Sequence, residues 1–94
     1  MSEEASDADR FLALVAAAQG RDNRLTPIQA GLLVAAELGI ARDSRAFARL
    51  LGIAHSLVLR ELNGLAEREG QLRIVKRDLR TMRVHYMLPP RDEV

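Results

Sequence analysis

Ser56, Arg60 and Asn63 recur at i, i+4 and i+7, the spacing that puts side chains on one face of a helix. Leu57, Gly64 and Glu67 share that side, and His55 opens the segment. What the set offers is hydrogen bonding outward from a helix. A second set follows at once: Arg73, Lys76, Arg77, Arg80 and Arg83 accompany a single acid, Asp78. Five cations in so short a stretch are suited to neutralising phosphates. The bland alternative is a charged hairpin that resists edge-to-edge aggregation.

Enzymatic chemistry finds little material. The chain has no cysteine and only two histidines, His55 and His85. Thiolate chemistry, disulfides and cysteine zinc sites are excluded, and two distant histidines make no metal cluster. No glycine-rich phosphate loop is present. Asp7 with Asp9, and Glu67 with Glu69, are i, i+2 pairs that do not face each other on a helix. A binding protein is expected, with no enzymatic activity, cofactor or metal.

The elements that must position these residues can be read from punctuation and periodicity. Residues 1–9 are acidic and poor in large apolar side chains, which predicts a disordered tail. Ser6 or Asp7 can cap a first helix that runs to about Ala18, where Gly20 stops it. Phe11, Leu12, Leu14, Val15 and Ala18 form its apolar stripe. Thr26, Pro27 and Gln29 make a capping box with proline at the first helical position. The helix they open runs to Leu38, with Gly39 as left-handed cap. It is apolar nearly all round, so it is either a central core helix or part of a subunit interface. Phe11, Leu12, Leu14, Val15, Leu32 and Leu33 are the candidates for such an interface.

Ile40 to Arg42 can form a short strand. Asp43 or Ser44 caps a third helix, Arg45 to Leu51, whose core face reads as Phe47, Leu50 and Leu51. Gly52 turns the chain, and a fourth helix runs from Ala54 or His55 to Glu69. Val58, Leu62 and Leu65 define its buried side. Leu72 to Arg77 and Met82 to Leu88 read as two strands. Pairing Ile74 with Tyr86 and Leu72 with Leu88 joins their apolar faces. Residues 10–88 thus form one domain and 89–94 a tail. The fold class is mainly α with a small β-hairpin: a winged helix-turn-helix of about four helices and a two- or three-stranded wing sheet.

In that architecture the second helix of the turn enters the DNA major groove. His55, Ser56, Leu57, Arg60 and Asn63 are the expected groove residues. Arg60 suits a guanine edge and Leu57 a thymine methyl. Ser44, Arg45, Arg73, Lys76, Arg77, Arg80, Thr81 and Arg83 are the expected backbone and wing contacts, with Arg80 able to enter the minor groove. Charge follows the same division. The chain's formal charge is +1, but Met1 to Ala41 sums to −3 and Arg42 to Val94 to +4. Leu57 has a rival role as an apolar cap under the hairpin.

Phe47-Ala48-Arg49-Leu50-Leu51-Gly52-Ile53, then His55-Ser56-Leu57-Val58 and Leu62-Asn63-Gly64-Leu65-Ala66-Glu67-Arg68-Glu69-Gly70, resemble the MarR-type winged-helix regulators. Asp78-Leu79-Arg80 is similar to the Asp/Arg wing tip of that family. The resemblance spans roughly Thr26 to Leu88, with one extra residue before Gly70. It implies a homodimeric bacterial repressor on an inverted repeat of double-stranded DNA, with Ser56, Leu57 and Arg60 in the groove and Arg80 on the wing. The chain departs from the family in a short wing and in lacking a long C-terminal dimerising helix. Dimerisation is then expected from the first two helices. No apolar run reaches the ~18 residues of a membrane span, and no leader opens the chain. A cytoplasmic, nucleoid-associated protein without membrane contact is expected. The competing function is a winged-helix module that binds another protein without specific DNA binding.

Overall fold

The computed structural model describes residues 6–90. Four helices are followed by one hairpin: α1 Asp7–Arg21, α2 Pro27–Glu37, α3 Ser44–Leu51, α4 His55–Ala66, β1 Arg73–Asp78 and β2 Arg83–Met87. This is the winged-helix layout, with α3 and α4 as the helix-turn-helix pair and the hairpin as the wing. The strands pair antiparallel in a single two-stranded sheet. Ile40 to Arg42 do not form the short strand their sequence suggests; the chain reaches the sheet one residue later, through a lone bridge from Asp43 to His85.

The helix starts follow local hydrogen-bond chemistry. Ser6 Oγ accepts the Asp9 N–H at 3.1 Å and opens α1. Residues 7–9 therefore belong to α1, and the tail reading does not extend to them; residues 1–5 lie outside the described ones. Gly20 does not stop α1, which continues to Arg21. At α2, Thr26 Oγ1 accepts the Gln29 N–H at 3.1 Å and Gln29 Oε1 accepts the Thr26 N–H at 3.2 Å. This is the reciprocal capping box. The Thr26 hydroxyl then donates to Glu61 Oε1 at 2.8 Å, which fastens the start of α2 to α4. Gly52 adopts φ 67° at the reversal between α3 and α4, a conformation that costs side-chain-bearing residues about 1–2 kcal/mol.

The core is built around α2. Ala30, Leu32, Val34 and Ala35 are buried on it, and α1, α3, α4 and β2 supply Val15, Phe47, Val58, Leu62, Leu65, Val84 and Tyr86. Gly31 lets Phe47 approach closely: a Cβ there would lie 3.2 Å from Phe47 Cζ. The apolar character of α2 is thus that of a central helix covered by its own chain. Leu32, at 0% exposure, and buried Val15 belong to that core and are not free to form a subunit interface.

Three further expectations change. Leu50 and Leu51 are exposed, because only the Phe47 and Ala48 side of short α3 meets the core. α4 ends at Ala66, three residues early, where the Arg68 N–H bonds the Leu65 carbonyl at 3.0 Å and tightens the last turn. Gly64, read as outward, faces α2, since a Cβ there would lie 3.3 Å from Gln29 Nε2.

The hairpin pairs Ile74 with Tyr86 as expected, but Leu72 and Leu88 fall outside the strands. Between Ile74 and Lys76 the register shifts, so Val75 bulges and is exposed. One extra residue reverses the alternation beyond it. Arg77 now lies opposite buried Val84, on the side that faces α4.

Candidate nucleic-acid interface

α4 presents Ser56, Arg60 and Asn63 to solvent, as the periodicity required, while Leu57 is half-buried. The Ala54 N-cap makes no side-chain hydrogen bond to the first turn. The leading N–H groups of α4 are therefore left for solvent or an anion, at the positive end of the helix dipole. Arg73, Lys76 and Arg80 are exposed on the hairpin, and none of them makes an ion pair among the described residues. These exposed donors have nothing described to receive them.

Other expected contact residues have internal partners. Ser44 is fully buried and is removed from the surface altogether. Its Oγ lies 2.8 Å from His55 Nε2 and accepts the Val84 N–H at 2.9 Å. One hydroxyl thus joins the starts of α3 and α4 to β2. The bonds close most simply when Ser44 donates to Nε2 and the neutral ring carries its proton on Nδ1. Burial holds the His55 pKa below the ordinary histidine value. The Arg45 and Arg83 cations push the same way, and Asp43 opposes them. His55 is therefore a structural link that is only half-exposed.

Arg45 and Thr81 also meet each other. Arg45 Nε and Nη2 donate to the Thr81 carbonyl at 3.0 and 2.6 Å, which clips the wing tip to α3. Arg83 Nη1 lies 3.4 Å from Asp43 Oδ1, so its charge is half-answered at the α3 cap. The bulge at Val75 brings Arg77 to α4, where both terminal nitrogens lie 3.4 Å from Asn63 Oδ1. Asn63 is exposed but engaged. Arg77 and Asn63 thus brace wing against helix. No local pattern in the sequence announces either contact, because each depends on a register set by residues far along the chain.

The wing tip is tightly specified. Asp78 Oδ1 accepts the Arg80 N–H at 3.0 Å, and the Asp78 carbonyl accepts the Met82 N–H at 2.7 Å. The bond from Arg80 holds the Asp78 carboxyl below its ordinary pKa. Thr81 Oγ1 accepts the Arg83 N–H at 3.1 Å. Arg80 therefore sits in a defined turn with its side chain exposed.

The expected interface residues divide as well. Leu12 and Leu14 are exposed, Phe11 and Leu33 are half-buried, and Val15 and Leu32 are in the core. Among the described residues no group of three or more His, Cys, Asp or Glu is placed to hold a metal ion. No described helix is long and apolar enough to cross a membrane. No family model, no curated protein and no solved structure matches the chain.

Proposed function

We propose that this chain is a sequence-specific double-stranded DNA-binding transcriptional regulator, a repressor, of the MarR-like winged-helix kind. The observation that carries the reading is the shared exposure of two donor sets, Ser56 and Arg60 on α4 and Arg73, Lys76 and Arg80 on the wing. α4 enters the major groove with Ser56 and Arg60 toward base edges. The uncapped start of α4 meets a phosphate, helped by its dipole. Arg73 and Lys76 take backbone phosphates, and Arg80 follows the minor groove. Arg45, Arg77 and Arg83 act by bracing the wing, since each already has a partner within the fold.

The test is a gel shift on the DNA upstream of the protein's own gene, over a salt series. A sequence-preferring complex that weakens steeply with salt is expected. Arg60→Ala with Arg80→Ala should abolish the preference without changing the circular dichroism spectrum, because both side chains are exposed. Absence of binding at low salt would sink the reading in favour of a protein-interaction module.

A further inference from the structure

We infer that Leu79 is an apolar wedge, which the wing inserts between base pairs from the minor groove and which kinks the duplex. The inference rests on the regulator reading and adds to it a residue, a mode of contact and a sequence preference. Leu79 is 83% exposed, more than any other large apolar side chain among the described residues. It stands first in the turn, residues 79–82, that joins β1 to β2, and Met82, 54% exposed, stands last. A turn that only closes a hairpin and resists aggregation is served by polar residues. Leucine at the most exposed place on the wing calls for a partner that covers it.

The turn is held, as a wedge requires. Asp78 Oδ1 accepts the Arg80 N–H at 3.0 Å and the Asp78 carbonyl accepts the Met82 N–H at 2.7 Å, so the backbone is closed around Leu79. Arg45 Nε and Nη2 donate to the Thr81 carbonyl and tie the turn to α3. The Ser44 and His55 side chains tie the start of α3 to the start of α4. Leu79 is thereby carried at a fixed position relative to the helix proposed for the major groove. Binding then orders one side chain and not a loop, which keeps the entropy cost small.

The hairpin's charge indicates what the wedge enters. Arg73, Lys76, Arg77, Arg80 and Arg83 accompany the single acid Asp78. An apolar tip among cations suits a partner with an anionic exterior and an apolar interior. Stacked base pairs between two phosphate strands are such a partner. An anionic bilayer shares the description, but Leu79 and Met82 together hold only about half the carbon of a myristoyl chain, which alone binds membranes marginally. Arg80 follows Leu79 directly and is the residue proposed for the minor groove, the side from which apolar wedges unstack base steps. Pyrimidine–purine steps such as TA and CA unstack most readily, so the wedge favours sites with such a step under the wing.

The test compares Leu79 variants on the duplex that the gel shift selects. Energy transfer between dyes at its two ends should report a bend of roughly 20–90° with the parent protein. Leu79→Ala should remove the bend and weaken binding roughly tenfold, the scale of one lost leucine contact. Its salt slope should equal the parent's, because no charge is lost. Leu79→Met should restore the bend and Leu79→Gln should not, and the far-ultraviolet spectra should all match. The chain has no tryptophan, so emission from Leu79→Trp reports on the tip alone. It should be quenched by the duplex and unchanged by phosphatidylserine-containing vesicles. A straight parent complex, or a Leu79→Ala complex bent as far as the parent's, overturns the wedge and leaves the regulator reading standing. A Leu79→Trp response to vesicles but not to the duplex assigns the tip to membranes and also overturns it. Absence of any binding at low salt overturns both the wedge and the regulator reading.

Discussion

Ser44 Oγ lies 2.8 Å from His55 Nε2, and the same hydroxyl accepts the Val84 N–H. Ser44 is fully buried, so each of its partners depends on it. Ser44→Ala leaves the Val84 N–H and an imidazole nitrogen without partners. Loss of a buried partner costs about 1–3 kcal/mol, and that loss of stability should appear in urea denaturation. The same link makes stability depend on pH. The His55 pKa is lowered in the fold, first by burial. The unfolded chain therefore takes up a proton before the folded one does. Stability is fully present above the unfolded histidine pKa and declines as pH falls through the folded value. The urea midpoint should drop between neutral and mildly acidic pH, and His55→Gln should flatten that dependence. A parent midpoint that is constant across the range would refute the link.

The starts of α1, α2 and α3 were legible because each is written in a capping side chain a few residues from the turn it closes. Thr26, Pro27 and Gln29 carry the α2 cap entirely within one turn, and Gly52 marks its own reversal. Strand phase was legible up to Ile74 and Tyr86. It failed beyond, because a bulge is a relation between two strands and Val75 looks locally like any strand residue. Ser44 was misplaced for a similar reason. Its buried partner Val84 lies 40 residues away. Leu50 and Leu51 carry a helical apolar spacing that normally signals a core. What the spacing lacks is any sign that α3 has too few neighbours to cover that face.

Asp22 receives Arg68 Nη2 at 2.5 Å, which ties the α1–α2 connection to the chain just past α4. That bond, chiefly, lowers the Asp22 pKa to about 2, with the Arg24 N–H adding to it. Because the folded pKa is the lower one, the contribution is present above the ordinary aspartate range and is lost as pH falls toward 2. Asp22→Asn should leave the acid limb of the stability profile shallower than in the parent. Profiles that superimpose between about pH 4 and 2 would show that the pair contributes nothing.

Met82 stands at φ 62°, the only described non-glycine residue with positive φ. Its side chain is exposed, so little packing offsets the strain. Relief of a left-handed L-residue is worth on the order of 1 kcal/mol. Met82→Gly should raise the urea midpoint, and Met82→Val, branched at Cβ, should lower it. If glycine destabilises the fold, the Met82 side chain holds the wing by contacts that its exposure does not indicate.

Arg60 and Lys76 separate base reading from backbone attraction under the proposed function. Both are exposed, one on α4 and one on the outer side of β1 opposite His85. Arg60→Ala should cost about 1–3 kcal/mol on the preferred DNA site and little on other sequences, because a bidentate base contact discriminates. Lys76→Ala should weaken all sequences alike and reduce the salt slope by about one. Asn63→Ala gives a third pattern. It releases Arg77 from the brace across the wing, so its effect should run through wing order: weaker binding to every sequence, with the salt slope unchanged. Binding titrations on a matched specific and scrambled duplex at several salt concentrations distinguish the three. If Arg60→Ala and Lys76→Ala give the same pattern, α4 is not reading bases.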